Sequence, residues 1–303
     1  EEVLLGKTPL QLPKVRAGEF SIEVRFPGYK PEFAKGKLAE SQVTSFNLRL
    51  KASGAVVFGK AWENSLGMKL VPLGQAMIAA HETRRHDFAQ FAAATKLTEV
   101  PGRILNADPQ LPVTLVSRQD AEAFCKWLTE TERDKGLLDP TQEYGLPADD
   151  AWSMAAYLPR ERGDSPSERH LRIGSIFTWG FIWPPSPKLG NFFDKSASTP
   201  ENKGIEGYED GMSGLAPISS FKADTRGLVD LSGNVWEWIR EPWGGVDPKT
   251  KDLGVVRGGG YTTHVRDELL ASFRRTLPAD SRAPDVGFRC ILQEAEKPAR
   301  AEE

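Results

Sequence analysis

The segment SGNVWEW, Ser232–Trp238, constrains the fold of the second half of the chain more than any other. Trp236 and Trp238 flank Glu237, and the Gly-Asn pair before them is typical of a turn. Large aromatic side chains are stabilised by burial, whereas a buried carboxylate is costly unless another group pairs with it. The segment therefore predicts a buried Glu237 with a partner that these seven residues do not identify.

Composition places the chain among ordinary globular proteins. Its 303 residues are 39% hydrophobic and 27% charged, enough for one large domain or a large and a small one. The net charge of -3 offers no field that would attract nucleic acid or an anionic membrane. The sequence has no apolar run of about 20 residues, so we expect no membrane span, and no signal-peptide pattern. Its 28 Gly and 22 Pro indicate many ordered loops.

Residues 1–52 differ in pattern from the rest. The segments EFSIEVRF and SFNLRLKAS alternate apolar and polar residues, which predicts strands with one apolar face. The opening LLGKTPLQL is typical of the second half of a hairpin. Residues 53–60 are interpreted as a linker, and the charged residues 294–303 are predicted to form a disordered tail.

The clearest helix is predicted within SRQDAEAFCKWLTETERDKG. Ser117 and Asp120 form a capping box at its start, and Gly136 ends it. Cys125 lies on its apolar face and is expected in the core. Two further helices are predicted within ADDAWSMAAYL and RRHDFAQFAAAT.

Eight segments in order resemble the formylglycine-generating-enzyme (sulfatase-modifying factor) family. They are NSLGMKLVPLG, HETRRHDFAQFAA, PVTLVSRQDAEAFCKWL, YGLPADDAWSMAAYL, FTWG, GLVDLSGNVWEW, VVRGGGY and DVGFRC. The resemblance implies an α+β fold of C-type-lectin-like type for residues 61–293, rich in loops that calcium braces. Residues 1–52 look like a partial PEGA-type module, a small all-β unit whose usual first strand would lie upstream of Glu1.

Such pairings resemble the extracytoplasmic parts of bacterial envelope proteins or sensor kinases. We therefore expect a bacterial protein of the periplasm or cell surface, and any membrane anchor of the full-length protein would lie upstream. Cys125 and Cys290 match the family's structural cysteine pair, which implies a disulfide. Their spacing alone leaves two separate buried thiols equally open. In the chain-entropy model a bridge over so long a loop contributes roughly 4–5 kcal/mol.

Family members that oxidise a substrate cysteine use a copper-binding cysteine pair. The matching interval here, TTHVRDELLASFRR at Thr262–Arg275, contains no cysteine. Cu(I) prefers thiolate ligands, and Thr263, His264 and Ser272 are poor substitutes. We therefore expect a non-catalytic family member without copper or iron.

The resemblance implies two calcium sites made of hard oxygen ligands. The first comprises the side chains of Asn191 and Asp210 and the carbonyls of Phe192 and Met212. The second comprises the side chains of Asn234 and Glu237 and the carbonyl of Val235. The alternative for Glu237 is a carboxylate that accepts backbone N–H bonds from a neighbouring loop.

The main functional hypothesis is a rigid binding or sensing module for an unidentified protein or small molecule. Its default ligand surface lies beside the missing cysteine site and comprises Tyr261, Thr263, His264, Ser272 and Arg274. For Arg274 and Arg289, burial with pairing to an Asp or to loop carbonyls is favoured over contact with a ligand. An enzyme with a rewired site is the alternative function, with His264 and either Asp267 or Glu268 as an acid–base pair.

Overall fold

A computed structural model describes residues 15–26, 28–97, 108–200 and 202–295. The N-terminal module contains one antiparallel hairpin, β1 (Gly18–Val24) with β2 (Glu32–Leu38). The strand predicted within SFNLRLKAS is wrong, because residues 42–50 are irregular, although the ring of Phe46 lies 5.3 Å from that of Phe20. All of the predicted opening strand, LLGKTPLQL, and most of the predicted tail lie outside the described residues.

The N-terminal module contacts the turn that follows the longest helix. Tyr29 donates its hydroxyl hydrogen to the carbonyl of Lys135 at 2.9 Å, and the N–H of Ala52 donates to the carbonyl of Gly136 at 2.9 Å. Gly136 has φ +69°, which favours glycine, and a Cβ there would lie 2.6 Å from the Tyr29 ring. The helix stop predicted from Gly136 is therefore also the contact point of the module.

The main domain contains two sheets. The first has five strands, in the order β3 (Trp62–Glu63), β4 (Lys69–Leu73), β5 (Ala76–Ala79), β11 (Ile291–Glu294) and β6 (Gln142–Gly145). The second has four, in the order β10 (Val286–Gly287), β7 (Trp236–Trp238), β8 (Leu253–Arg257) and β9 (Arg275–Pro278). The WEW motif is thus an interior strand of the second sheet, which explains the burial of both its tryptophans.

Three of the four helices in the described residues begin within the segments predicted from the sequence, and the short helix at Pro166–Arg169 was not predicted. The four are α1 (Arg85–Thr95), α2 (Arg118–Asp134), α3 (Asp149–Ala155) and α4 (Pro166–Arg169), with 3-10 turns at Pro248–Thr250 and Arg266–Leu269. The capping box of α2 is confirmed. The N–H of Asp120 donates to Ser117 Oγ at 3.1 Å, and the N–H of Ser117 donates to Asp120 Oδ2 at 2.8 Å. Within the described ranges, no helix combines the length and apolar character needed to cross a membrane.

The largest core cluster lies between α1, α2 and the two sheets. Rings of Phe88, Phe124 and Phe288 meet there at centroid distances of 5.5–6.2 Å, and Trp238 donates its indole N–H to the Val116 carbonyl. Burial of so many aromatic side chains stabilises the domain despite its small helical content. Long loops between these elements carry the polar clusters described next.

Candidate functional site

The buried partner of Glu237 is Arg289. The guanidinium Nε donates to both carboxylate oxygens, at 2.7 and 2.9 Å, and Trp152 donates its indole N–H to Glu237 Oε2 at 3.1 Å. Arg289 also donates to the carbonyls of Val229 and Asp230. The reading of Arg289 as a buried, paired arginine is confirmed.

Two further buried acids lie near this pair, and together the four residues form the acidic cluster: Glu82, Asp230, Glu237 and Arg289. Burial raises the pKa of Glu82 well above its usual range, and the neighbouring Asp230 adds to the effect. Burial likewise raises the pKa of Asp230 to about 6, although Arg289 opposes it. Among the described residues, Glu82 Oε1 and both carboxylate oxygens of Asp230 have no hydrogen-bond partner. Three carboxyl groups thus share one guanidinium.

Sequence reasoning missed Glu82 and Asp230 as members of a cluster. Neither acid belongs to the sites predicted from the sequence. The available signal for Asp230 is its position in GLVDLSG, where a carboxyl group follows Leu228 and Val229 in an otherwise apolar run. Nothing local could show that both acids lie within electrostatic reach of Arg289, which lies 59 residues beyond Asp230 and donates to its backbone carbonyl.

A second buried cluster has the opposite balance. This basic cluster comprises Asp149, Glu161, Arg169, Arg257 and Arg274. Arg274 donates to Asp149 at 2.9 and 3.0 Å and to Glu161 at 2.6 and 2.8 Å, while Arg257 donates to Asp149 Oδ1 at 2.7 Å. Burial disfavours the charged carboxylate, but Arg257, Arg274 and Arg169 together lower the pKa of Asp149 to about 2. Burial also lowers the pKa of Arg257 to about 10.

The predicted ligand surface is not assembled as one face. Ser272 is 0% and Arg274 is 1% exposed, so their assignment to an open surface is wrong. The chain turns inward after the 3-10 turn at Arg266–Leu269, which lets the Arg274 guanidinium reach Asp149. Thr263 is also buried, and its hydroxyl accepts the Gly260 N–H at 3.0 Å.

The two remaining members of that set, Tyr261 and His264, are half-buried. His264 lies with its ring 5.2 Å from Phe193, and its Nδ1 has no hydrogen-bond partner in the part of the chain that the structure describes. Asp267 pairs instead with Arg266 at 2.7 Å. The acid–base pair of the enzyme hypothesis is therefore not formed through His264 Nδ1 in this arrangement.

The first predicted calcium set is brought together. Asp210 accepts the N–H of Phe192 at 2.8 Å and that of Met212 at 2.7 Å, and Asn191 Oδ1 is buried without a partner among the residues described. Asp194 is buried beside Asp210 and accepts its N–H. Burial raises the pKa of Asp210 to about 6 despite these N–H bonds. An orphaned amide oxygen beside two acids fits a hard cation.

The second predicted set does not fit a cation in the same way. Both oxygens of Glu237 accept from Arg289, and Asn234 Oδ1 already accepts from Asn191 Nδ2 and the Ala216 N–H. A divalent ion at Glu237 would lie against a buried guanidinium of like charge. In the described ranges, no three His, Cys, Asp or Glu side chains lie close enough together to hold a metal ion. Either calcium set would depend on amide and carbonyl oxygens, and both stay predictions.

The two cysteines meet in the core. Cys125 on α2 and Cys290 before β11 are buried with their sulfur atoms 3.7 Å apart, as free thiols in this structure. The hydrogen bond to Cys290, with burial, raises the pKa of the Cys125 thiol well above its usual range. A raised pKa keeps the thiol protonated and poorly nucleophilic. The disulfide stays a prediction, although the pair that it requires is in place.

Known proteins share this architecture. The family profile described as "Sulfatase-modifying factor enzyme 1-like domain" matches residues 38–294, and that of the PEGA domain matches residues 1–53. Both resemblances stated from the sequence are thus confirmed. The profiles overlap between residues 38 and 53, so the predicted domain boundaries stay predictions.

Among curated relatives, the formylglycine-generating enzyme of Thermomonospora curvata is 27% identical over 211 residues, or 64% of this chain and 60% of that protein. Inactive C-alpha-formylglycine-generating enzyme 2 of Mus musculus is 29% identical over 198 residues, covering 63% and 52% respectively. The chain therefore spans between about half and three fifths of these relatives.

Among solved structures, PvdO from Pseudomonas aeruginosa superposes with a TM-score of 0.54 at 14% identity, covering 79% of this chain and 100% of that one. This likeness, which concerns the fold alone, and the family match confirm the predicted loop-rich α+β fold.

Proposed function

Because this chain belongs to the sulfatase-modifying factor enzyme 1-like domain family, we propose that it is a non-catalytic member. It uses the family scaffold as a binding or sensing module outside the cytoplasm. One observation carries the proposal. The interval Thr262–Arg275 has no cysteine, and the chain's two cysteines face each other in the core. The chain therefore has no accessible thiolate for copper or for a substrate cysteine.

Copper binding tests the absence of catalysis. The purified protein would be titrated with Cu(I) under reducing conditions against a chromogenic chelator, and then incubated with a cysteine-containing peptide. We expect no stoichiometric copper and an unmodified peptide by mass spectrometry. One copper per chain, or conversion of the peptide cysteine to formylglycine, would overturn the proposal. The variant Cys125→Ser shows whether any copper that binds is held at the buried pair.

We place the binding surface around Tyr261 and His264, because Ser272 and Arg274 of the predicted surface are buried. The test is a pull-down from the envelope extract of the native organism, compared between the wild type and Tyr261→Ala. A protein that the wild type recovers and Tyr261→Ala does not would support this location. A protein recovered equally by both would place the binding surface elsewhere, and no recovery would favour a small-molecule ligand.

The loops around Asn191 and Asp210 support a structural calcium ion as part of this proposal. Asn191, Asp210 and the carbonyls of Phe192 and Met212 would hold it, and its charge would offset that of Asp194 and Asp210. Calcium that binds only the folded state stabilises it by about 2.7 kcal/mol at one hundred times its dissociation constant. We expect CaCl2 to raise the melting temperature of chelator-treated protein, and Asp210→Asn to abolish the rise. Magnesium is the matched control ion.

Location outside the cytoplasm is proposed together with the disulfide. An oxidising compartment would let Cys125 and Cys290 form a bond that a reducing one prevents. The measurement is thiol quantification in the unfolded protein after isolation from the native organism with alkylation at lysis. No free thiols would support the proposal, and two free thiols per chain would contradict it.

A further inference from the structure

One loop carries its apolar side chains outward. This aromatic loop is defined as residues 177–188, FTWGFIWPPSPK. At its tip Phe181 is 73% and Ile182 is 75% exposed. Two consecutive large apolar side chains, each about three quarters exposed, do not pack against the body of the domain. They form a convex apolar tip, and nothing in the binding proposal above uses it.

The aromatic loop is held in this conformation by its own hydrogen bonds. The N–H of Phe177 donates to the carbonyl of Gly180 at 2.8 Å, and the N–H of Gly180 donates to the carbonyl of Phe177 at 3.1 Å. Trp179 donates its indole N–H to the carbonyl of Ile182 at 2.9 Å. These bonds close a tight turn immediately before the tip and fix the backbone at Gly180 and Ile182, on either side of Phe181.

A stack of rings supports the turn from below. The buried ring of Phe177 lies 4.7 Å from that of Trp179 and 5.6 Å from that of Trp183, nearly parallel to both. Trp179 in turn contacts the buried Phe192, at a centroid distance of 5.6 Å. The tip is thus presented by a rigid base, and little conformational entropy is lost when it is buried by another phase or molecule.

Charge along this part of the chain is unusual. From Ile173 to Phe193 there is no Asp or Glu, and Lys188 is the one charged side chain, although the whole chain has a net charge of -3. The guanidinium of Arg266 lies 5.3 Å from the centre of the Phe177 ring. Arg266 pairs with Asp267, so its charge is offset, whereas the aromatic loop itself carries no carboxylate. Aromatic and aliphatic side chains without carboxylates are typical of segments that enter the interfacial region of a bilayer.

We propose that the aromatic loop inserts Phe181 and Ile182 into the interfacial region of a lipid bilayer and holds the domain against a membrane surface. A deformable lipid interface accommodates a convex tip without a complementary pocket. The apolar side chains supply the affinity, because the net charge of the chain gives no attraction to anionic lipid. Binding to vesicles of neutral lipid is therefore expected.

The test is cosedimentation of the whole protein with phosphatidylcholine vesicles, with and without phosphatidylglycerol. Burying one such side chain changes a partition coefficient by about tenfold or more. We therefore expect the double variant Phe181→Ser/Ile182→Ser to bind roughly a hundredfold more weakly. The matched control is Val246→Ser, since Val246 is 100% exposed in a different loop, and it should bind as the wild type does.

Tryptophan fluorescence gives a second readout of vesicle binding. Trp179 and Trp183 lie next to the tip, so their emission should shift to the blue on vesicle binding in the wild type and in Val246→Ser, and not in the double variant. Absence of binding by the wild type, or equal binding by the double variant, would overturn the proposal. So would binding to anionic vesicles alone that salt abolishes. Self-association of the wild type that the double variant loses, without vesicle binding, would assign the tip to a second copy of the chain.

Discussion

The acidic cluster and the basic cluster are both buried, and they balance charge in opposite ways. Around Asp149, three guanidinium groups share two carboxylates, and Arg274 alone makes four hydrogen bonds of 3.0 Å or less to Asp149 and Glu161. Around Arg289, three carboxyl groups share one guanidinium, and oxygens of Glu82 and Asp230 lack partners among the described residues. The first cluster satisfies its own acids, whereas the second is stable at neutral pH when a proton or another cation compensates its carboxyl groups.

Trp152 lies between the two clusters. Its indole N–H donates to Glu237, and the guanidinium of Arg257 lies 4.2 Å from its ring centre. Helix α3 carries both Trp152 and Asp149, so one short element contributes to both clusters. Buried charge in this fold therefore occurs in two forms, one with more guanidinium than carboxyl groups and one with more carboxyl than guanidinium groups. Removing a residue should have opposite consequences in the two places.

The largest effect is expected from Arg274→Met, which keeps the side-chain volume and removes the charge. Asp149 and Glu161 would lose their shared partner while buried, and breaking such a pair costs about 3–5 kcal/mol. Urea unfolding measures the change. Arg266→Met is the control, because its ion pair with Asp267 is exposed and should contribute about 1 kcal/mol or less. An equal decrease in the free energy of unfolding for the two variants would show that the basic cluster stabilises the protein no more than an exposed ion pair does.

Low pH should weaken the basic cluster. The pKa of Asp149 is lowered to about 2 in the folded protein, against about 3.9 in an unfolded chain. Its contribution to the free energy of unfolding, about 2–3 kcal/mol, is present above pH 4 and is lost as pH falls towards 2. The measurement is urea unfolding between pH 4 and 2, and Asp149→Asn should remove this part of the slope. An unchanged slope in the variant would contradict the assignment.

The acidic cluster should respond to pH with the opposite sign. Since the pKa of Asp230 is raised to about 6, the folded state holds a proton that the unfolded state releases near pH 3.9. Stability from this group is therefore present below pH 4 and declines by on the order of 2–3 kcal/mol as pH rises from 4 to 6. Asp230→Asn should flatten this decline. A decline that the variant retains would place its origin in another residue.

The smallest effect is expected from Glu82→Gln. Burial and the neighbouring Asp230 raise the pKa of Glu82 well above its usual range, so the charged carboxylate is disfavoured and a neutral amide of the same shape replaces it closely. We expect a change within about 1 kcal/mol or a gain in stability, because no buried charge remains to be compensated. Asp149→Asn is the paired comparison. The contrast between the clusters fails if the two substitutions prove equally destabilising.

Local patterns predicted the elements that depend on neighbouring residues. Helix α2 begins at its capping box and ends before Gly136, because caps and apolar periodicity act over a few residues. The same reasoning failed for SFNLRLKAS. Alternation alone does not form a strand, and that segment instead supplies Phe46 to the face of the β1–β2 hairpin.

The sequence by itself determined the family, the resemblance of the first residues to a PEGA domain, the absence of cysteine from Thr262–Arg275 and the burial of Glu237 between two tryptophans. Tertiary structure alone decided which group meets Glu237, since Arg289 lies 52 residues away. It also decided that Ser272 and Arg274 lie in the core rather than at a ligand surface, because Arg274 pairs with an acid 125 residues earlier. Caps and periodicity are local properties of a chain, whereas the pairing of buried charges depends on which distant segments the fold brings within hydrogen-bond distance.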